Sequence, residues 1–463
     1  MKRIFAALTL TFIAASALAQ TGTWNGKLDV SGTTLSLVFH IGDSTATLDV
    51  PDQGAKAIPV SVKRSAFGSI ELEVPSINAL YKGLWTGKLI TGTFTQNGMS
   101  FTLPLAPGAQ VLRRPQTPVG PFAYVNADVS FSNGDAVLKG TLTMPENCSR
   151  QTPVLLMVTG SGLQNRDEEI FGHKPFAVIA DAFANAGIAT LRYDDRGFGE
   201  STGDAVSCTT EDLKNDALAG IGLLRGKFDH VGVLGHSEGG CIALMLAAEG
   251  KADFVISLAG MVASGSETLL DQNRRALQMA EMPESETNNY CRFLADAYAA
   301  VVNDMPFPSP ESYYLSAALK QNASMLSVLL KTPYMKYFLK MNVSDILGSV
   351  KCPVMALNGT KDIQVACDRN LSLLRQGLPG GYSESVPATV SGSDLGSGSG
   401  SNFRSATAPD NTSVNVIKAE AELNHLFQHC RTGAVSEYKE IEETFSQDVL
   451  AEMITWLHSL FAR

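Results

Sequence analysis

The sequence predicts a small all-β domain followed by an α/β domain that has a mostly parallel sheet, helices on both faces and a helical cap insertion. Residues 20–112 alternate apolar with polar side chains in short runs that Gly, Pro, Asn and Asp interrupt, which is typical of antiparallel strands. Residues 122–463 alternate short apolar strands with helices, which is typical of a parallel sheet covered on both faces. Between about 261 and 350 this alternation stops and the pattern is helical.

The first 19 residues have the pattern of a secretory signal peptide. A basic start, Met1-Lys-Arg, precedes a short apolar run that ends on Ala17-Leu-Ala19. We therefore expect a mature chain that begins near Gln20 and is exported to the periplasm or the extracellular space. Because Gln20 is not a cysteine, we do not expect a lipid anchor; an uncleaved membrane anchor is the alternative. No later segment approaches a membrane span.

Seven strands are predicted within residues 20–112, from Trp24–Val30 to Met99–Leu105, in an antiparallel barrel or sandwich. Trp24 and Trp85 could form a ligand platform, but aromatic side chains in small β domains are more often core. Residues 113–121 form a linker stiffened by prolines. We expect this domain to be an accessory to the α/β domain.

In the α/β domain, strand and helix patterns alternate up to the insertion. Helices are expected at Lys174–Ala186 and at Thr210–Arg225, the second capped by Thr209 or Thr210. In the insertion we predict five further helices: Glu267–Met282, Glu286–Asn303, Pro310–Leu319, Met325–Leu330 and Met335–Met341. The position of this insertion, directly after a strand of the sheet, predicts a cap over a substrate pocket, which would narrow the pocket and favour small or medium groups.

Gly235-His-Ser-Glu-Gly239 lies between an apolar strand pattern and a helix pattern rich in small residues. A G-x-S-x-G in that context is a nucleophile elbow, in which the serine occupies a strained turn. The glycines are needed because side chains two residues before and after the serine would clash. We therefore predict that Ser237 is a catalytic nucleophile; an ordinary β–α turn is the alternative.

A catalytic serine needs a base and an acid, and in this arrangement the chain order is Ser, acid, His. Asp362 follows the strand pattern Pro353–Leu357 and is the predicted acid, with Asp368 and Asp394 as weaker rivals. His425 follows the apolar run Val414–Lys418 and is the predicted base. Two other histidines come after the acid: His429, one helical turn later, and His458, on an amphipathic terminal helix.

An oxyanion hole needs backbone N–H groups from the elbow and from the loop after the strand Pro153–Val158. We predict the N–H of Glu238 and the N–H of Leu163, with Gly162 as a substitute for Leu163. Further along this loop, Arg166 and Asp167 are predicted to pair and brace it; alternatively, Arg166 contacts an anionic group of the substrate. Glu238 either faces the start of the elbow helix or binds a substrate ammonium group.

Together these motifs resemble the α/β-hydrolase superfamily, in particular secreted bacterial carboxylesterases and serine aminopeptidases of the S33 type. The matching stretches are Val158–Gly162 with Gln164–Glu168, Leu191–Thr202, the elbow, Gly359–Asp362 and Leu423–Phe427. The resemblance runs from about Phe122 to the C-terminus, and these stretches cover most of the core of that part. The resemblance implies the α/β-hydrolase fold, a Ser237–His425–Asp362 triad and no metal or organic cofactor. The Gly/Ser-rich segment 391–401 departs from it, because it lengthens the path from acid to base.

Composition excludes several other classes of function. A net charge of -10 at pH 7 without a basic cluster argues against nucleic-acid binding. The seven cysteines have no C-x-x-C spacing, so neither a zinc site nor a thioredoxin-like site is predicted. Cys352 and Cys367 flank the acid strand, and the sequence leaves open whether they form a disulfide.

The sequence thus predicts an exported serine hydrolase that acts on a small-molecule ester or a short peptide. We favour ester cleavage through an acyl-enzyme. The alternatives are a serine aminopeptidase and an inactive hydrolase scaffold that binds a glycan or a lipid.

Overall fold

The structure, a computed structural model, describes residues 20–30, 33–43, 45–53, 55–65, 68–108, 113–386 and 415–461. The predicted signal peptide, the Gly/Ser-rich segment 391–401 and the rival acid Asp394 lie outside these residues. The chain divides into two compact units. One contains the described residues up to Arg114 with two later segments, Ile170–Gly172 and Tyr438–Glu442, and the other contains the rest.

The first unit is a nine-stranded antiparallel sheet with the order β8-β7-β6-β5-β4-β3-β2-β1-β9. Its apolar core includes Trp24, which is buried, and Trp85 packs against that core. Both tryptophans therefore contribute to packing. The strands are β1 Gly22–Val30, β2 Thr33–Ile41, β3 Thr45–Val50, β4 Ala55–Arg64, β5 Ser69–Val74, β6 Ala79–Trp85, β7 Ile90–Gln96, β8 Met99–Thr102 and β9 Ala106–Pro107.

Strand β4 is absent from the sequence prediction. It contains Pro59, which has no N–H to donate, and proline within a run argues against a strand. In the structure Pro59 lies opposite Thr47 on β3. The pairs between β4 and β5 run from Ser61 to Arg64, so Pro59 lies outside them and pairs with β3, a position where proline is tolerated.

The second unit contains a mixed nine-stranded sheet with the order β10-β11-β13-β12-β14-β15-β16-β18-β17. The pairs β10–β11 and β11–β13 are antiparallel, and the neighbours from β13 to β17 are parallel. The strands are β10 Tyr124–Asn133, β11 Ala136–Pro145, β12 Val154–Val158, β13 Ala189–Tyr193, β14 Val231–His236, β15 Val255–Leu258, β16 Val354–Gly359, β17 Tyr382–Ser383 and β18 Asn415–Glu420.

Two apolar cores cover the two faces of this sheet. Along β12, Leu155 and Met157 belong to one core and Val154, Leu156 and Val158 to the other, because successive strand side chains point to opposite faces. Helices α1 and α9 pack into the first core, and α2, α3 and α8 into the second. The helices are α1 Pro175–Asn185, α2 Thr210–Arg225, α3 Glu238–Ala248, α4 Gly265–Met279, α5 Glu284–Val302, α6 Ala317–Leu329, α7 Pro333–Lys340, α8 Cys367–Gly377 and α9 Gln447–Phe461.

Helices α4 to α7 lie between β15 and β16 and include a small apolar core of their own. The predicted helix Pro310–Leu319 is wrong: only Pro310–Ser312 forms a helical turn, and α6 begins at Ala317. The chain between them is extended at Tyr313 and Ser316, and the Tyr313 hydroxyl donates to Asp296 at 2.6 Å. At α2 the cap is Thr209, which forms a capping box with Asp212.

Candidate active site

The elbow serine occupies a sharp turn between β14 and α3. Ser237 has φ 53° and ψ -116°, a conformation that costs about 1–3 kcal/mol for a residue with a side chain. A β-carbon on Gly235 would lie 1.9 Å from the carbonyl oxygen of Gly239, and one on Gly239 would lie 2.0 Å from that of Val158. Only glycine fits these positions, so the G-x-S-x-G pattern follows from backbone contact.

Asp362 and His425 meet at the carboxyl ends of β16 and β18, which are parallel neighbours. The Nδ1 of His425 lies 2.7 Å from Oδ2 of Asp362, and both side chains are buried. Oδ1 of Asp362 accepts the backbone N–H groups of Gln364 and Val365, at 2.8 and 2.9 Å, and Oδ2 also accepts from Asn358 Nδ2 at 2.9 Å. A carboxylate fixed in this way keeps the proton of His425 on Nδ1, which leaves Nε2 free to accept one.

Within the described residues, the side chains of the rival acid and bases have contacts or exposure that differ from those of Asp362 and His425. His429 is exposed and its Nδ1 lies 2.9 Å from Glu443 Oε2. His458 contacts the carbonyl oxygen of Ala186 at 2.8 Å through Nε2. Asp368 is an exposed residue in the first turn of α8.

The loop after β12 lies close to Ser237 at Gly160. A β-carbon on Gly160 would lie 3.2 Å from Cβ of Ser237. The predicted donor Leu163 lies further along this loop with 47% of its surface exposed, and Gly162 has φ +94° with open space where a side chain would be. The residues that the structure brings to Ser237 are therefore those at the beginning of the loop.

The predicted ion pair between Arg166 and Asp167 is wrong. Arg166 binds Asp194, with the guanidinium Nη2 2.8 Å from Oδ2 and the backbone N–H 2.7 Å from Oδ1. Asp167 instead contacts Arg192 and Lys174. These partners come from β13, the residues after it and the residue preceding α1, which the sequence spacing did not indicate. Both side chains do brace the loop.

Asp195 also holds this loop, and sequence reasoning did not find it. Its Oδ1 accepts from the Thr159 hydroxyl and its Oδ2 from the N–H of Gln164, both at 2.8 Å. Burial, with a contribution from the charges of Glu168 and Glu238, raises the pKa of Asp195 to about 8. The signal in the sequence was the stretch Leu191–Thr202, which was used for the resemblance without a role for each residue.

Glu238 is buried next to Ser237 in the chain, and both of its carboxylate oxygens accept hydrogen bonds. Oε1 accepts from the Thr210 hydroxyl at 2.7 Å, and Oε2 accepts from the Tyr334 hydroxyl at 2.5 Å. Burial together with the charge of Glu238 raises the pKa of Tyr334. The side chain of Glu238 thus joins the elbow to α2 and α7. Nothing in the sequence indicated that Tyr334 is a partner of Glu238.

Among the described residues, no group of His, Cys, Asp and Glu side chains is arranged to hold a metal ion. All seven cysteines are free thiols, so Cys352 and Cys367 do not pair. Within the part of the chain that the structure describes, no helix is long and apolar enough to cross a membrane.

Comparison with known proteins gives one family and several relatives. The model of the family described as X-Pro dipeptidyl-peptidase (S15 family) matches residues 133–376, slightly more than half of the chain. The esterase EstD of Thermotoga maritima is 32% identical over 174 residues, which are 37% of this chain and 41% of the esterase. The chain therefore spans less than half the length of that curated relative.

Two solved structures can also be compared. An esterase from Pyrococcus furiosus is 18% identical, with 59% of this chain and 87% of that chain covered and a TM-score of 0.37. A proline iminopeptidase from Mycobacterium smegmatis is 17% identical, with 55% and 87% covered and a TM-score of 0.36.

Proposed function

We propose, from the premise that the chain belongs to the X-Pro dipeptidyl-peptidase (S15) family, that it is a serine hydrolase that cleaves carboxylic esters. The family match and the curated esterase confirm the resemblance to α/β-hydrolases and support hydrolase activity. Ester cleavage, the acyl-enzyme route and export are the parts proposed here.

The contact between His425 and Asp362 is the observation that carries this proposal, because an elbow serine without a base is a weak nucleophile. In the proposed reaction Ser237 Oγ attacks the ester carbonyl while Nε2 of His425 takes its proton. The imidazolium then protonates the departing alkoxide and leaves an acyl-enzyme. Water attacks this ester with His425 again as base, which releases the acid and restores the serine. Throughout, Asp362 holds the Nδ1 proton and stabilises the charged ring.

We further propose that the oxyanion is bound by the N–H groups of Glu238 and Ser161. Glu238 directly follows the nucleophile, as the elbow geometry requires. Ser161 replaces Leu163 in this proposal, because its neighbour Gly160 lies so close to Ser237 that a β-carbon on it would be 3.2 Å from Cβ of Ser237. The Gly160 N–H itself donates to Oε1 of Glu168 at 2.8 Å.

Helices α4 to α7 are proposed to cap the site. Two tyrosines of α7 support this: Tyr334 bonds to Glu238, and the Tyr337 hydroxyl donates to Glu211 of α2 at 2.8 Å. A cap tied to the elbow in this way would restrict the space for the acyl group. We expect acetyl and butyryl esters to react faster than long-chain esters.

Cleavage after X-Pro dipeptides is the second candidate function, because the family takes its name from that activity. Such a substrate has a free ammonium group, and Glu238 was the carboxylate that could bind it. Both oxygens of Glu238 already accept from hydroxyl groups, and the side chain is buried. We therefore favour esters over peptides. An inactive binding scaffold is the third candidate, which the assembled acid–base pair disfavours.

One experiment separates these three functions. Wild type and Ser237→Ala are treated with a fluorophosphonate probe and assayed with p-nitrophenyl acetate, p-nitrophenyl butyrate, alanine p-nitroanilide and Gly-Pro p-nitroanilide. We expect labelling and ester turnover that disappear together in the variant. Faster turnover of Gly-Pro p-nitroanilide than of the esters would favour the peptidase. A folded wild type that neither labels nor turns over would favour the scaffold.

Export is proposed from the pattern of residues 1–19 alone. Expression of the full chain in a Gram-negative host, followed by fractionation and N-terminal sequencing, tests it. We expect periplasmic or secreted protein that begins near Gln20. Full-length protein in the cytoplasm would contradict export.

A further inference from the structure

His236, the last residue of β14, connects three parts of the site. The ring is buried, and its Nε2 lies 2.8 Å from the carbonyl oxygen of His425. Its Nδ1 lies 2.9 Å from Oε1 of Glu168, which is also buried. The same Oε1 accepts the N–H of Gly160 at 2.8 Å. One ring and one carboxylate thus join the base, the elbow and the loop beside the nucleophile.

These contacts require a proton that a neutral histidine does not have. A carbonyl oxygen can only accept, so Nε2 of His236 must carry a hydrogen. Neutral imidazole has a single N–H, and the contact between Nδ1 and Oε1 therefore needs a second proton. Since Oε1 also accepts from Gly160, the contacts fit an imidazolium paired with a carboxylate. Burial opposes that charge, but the charge and hydrogen bond of Glu168 raise the pKa of His236 above its usual value.

The charges around His236 come from carboxyl groups and a second histidine. Glu168 and Asp362 are carboxylates whose charges act on it, and the ring of His425 lies 4.7 Å away between centroids. The charge of Glu168 also acts on Asp195. Beside the ring, a small cavity is lined by apolar side chains from α1, β15 and the segments around α9: Pro175, Phe176, Ile179, Leu258, Leu426 and Phe445.

We propose that His236 and Glu168 are positioning residues that fix the backbone of His425 and of Gly160 relative to Ser237, and that their shared proton places a positive charge beside the base. The inference rests on the proposed roles of Ser237 and His425. Neither His236 nor Glu168 touches the reacting atoms; both act through the groups that they hold.

Glu168→Gln is the sharper perturbation, because it keeps the shape of the side chain. If the amide oxygen takes the place of Oε1, the His236 ring can keep its hydrogen bonds to residue 168 and to the carbonyl of His425 only as a cation. That cation would be buried without a counter-charge. If the amide nitrogen takes that place, it faces the N–H of Gly160 as a second donor. Either arrangement loses a buried hydrogen bond, for which we expect kcat to fall about tenfold while KM stays within about twofold.

The pH profile distinguishes positioning by a charged pair from simple packing. His236→Gln keeps a donor to the carbonyl but leaves the negative charge of Glu168 near the base, which favours protonation of that base. We expect the acid limb of kcat/KM to move upward, because a negative charge near a histidine favours its protonated form. Glu168→Gln should not move the limb upward, and the double variant, with the pair neutral, should return it to the wild-type position.

His173→Gln is the matched control. His173 is another fully buried histidine of this unit, and its ring nitrogens contact the neutral side chains of Thr444 and Gln428. Each variant is purified, its Tm is measured, and p-nitrophenyl acetate hydrolysis is followed from pH 5 to 9. If His236→Gln does not fold, Glu168→Gln still tests the proposal through kcat.

The outcomes separate this inference from the proposed function. The charged pair is supported if the acid limb of kcat/KM moves to higher pH in His236→Gln and returns in the double variant, while the limb of His173→Gln stays at the wild-type position. The inference would be overturned if the acid limb and kcat change no more in His236→Gln and Glu168→Gln than they do in His173→Gln. Activity that survives Ser237→Ala would overturn the proposed function, and this inference with it.

Discussion

Replacing Asp362 with asparagine removes a charge but keeps the shape of the side chain, and the hydrogen bonds of this residue determine how the new amide is oriented. Oδ1 accepts two backbone N–H groups, so an amide nitrogen placed there would face two donors. The amide oxygen must therefore occupy that position, and the NH2 group must take the place of Oδ2. There it faces Nδ1 of His425 and donates to it.

A ring that accepts at Nδ1 carries its proton on Nε2, which is the wrong tautomer for a base. Asn358 cannot repair this, because turning its own amide changes only its bond to residue 362. Triad enzymes held in the wrong tautomer lose about 10⁴-fold in kcat. At about 1.36 kcal/mol per decade, this corresponds to about 5 kcal/mol of transition-state stabilisation.

The assay is kcat with p-nitrophenyl acetate, together with the rate of fluorophosphonate labelling. Asp362→Asn should lose about 10³–10⁴-fold in both rates with little change in KM. Asp368→Asn is the control, because this rival acid is exposed on α8, and it should keep wild-type rates. A folded Asp362→Asn that retains more than a tenth of the wild-type rate would refute the tautomer argument.

Three further predictions concern stability. Gly239→Ala places a β-carbon 2.0 Å from a backbone oxygen, so we expect it to abolish activity and lower Tm. Its control is Gly222→Ala on α2, where a β-carbon has open space; it should keep activity and raise the free energy of unfolding by up to about 1 kcal/mol. Thermal melts and activity assays of both variants check this. Asp195 has a pKa of about 8 in the folded protein, which is higher than in the unfolded chain. Between about pH 4 and 8 the folded state therefore binds more protons than the unfolded state, and the contribution of Asp195 to stability declines as the pH rises through this range. Asp195→Asn keeps both contacts, because its amide can accept from the N–H of Gln164 and donate to the Thr159 hydroxyl, but it cannot ionise. We therefore expect the Tm of this variant, relative to that of wild type, to rise with pH. A Tm difference that stays constant from pH 5 to 8.5 would contradict this. Tyr334→Phe leaves a buried oxygen of Glu238 without its donor and should lower the free energy of unfolding in urea by about 1–3 kcal/mol. Tyr337→Phe should cost less, because its acceptor Glu211 is less buried. Equal losses in the two variants would count against the buried contact.

The residues of the proposed triad were predicted from local patterns that the structure explains. The elbow glycines are needed by backbone contacts within a few residues of Ser237 and with the adjacent strand. Asp362 and His425 were found because each follows an apolar strand, and parallel neighbouring strands place their carboxyl ends at one edge. Their roles in catalysis stay a proposal.

Predictions that depended on a partner distant in sequence were less successful. Arg166 and Asp167 are adjacent, so they were expected to pair, yet their partners Asp194 and Arg192 are about 25 residues away. Strand β4 was missed because Pro59 argues against a strand unless its neighbour's register is known.

The sequence by itself determined the two-part organisation, the elbow and the chain order of Ser237, Asp362 and His425, because these depend on periodicity and on backbone sterics over short distances. Only the tertiary structure decided which loop residues lie against Ser237, what occupies the Glu238 carboxylate, and that His236 and Glu168 join His425 to the loop. Each of those depends on hydrogen bonds between segments that are remote in the chain. A donor and an acceptor leave no periodic trace in the sequence, and only the packed sheet brings them within 3 Å of each other.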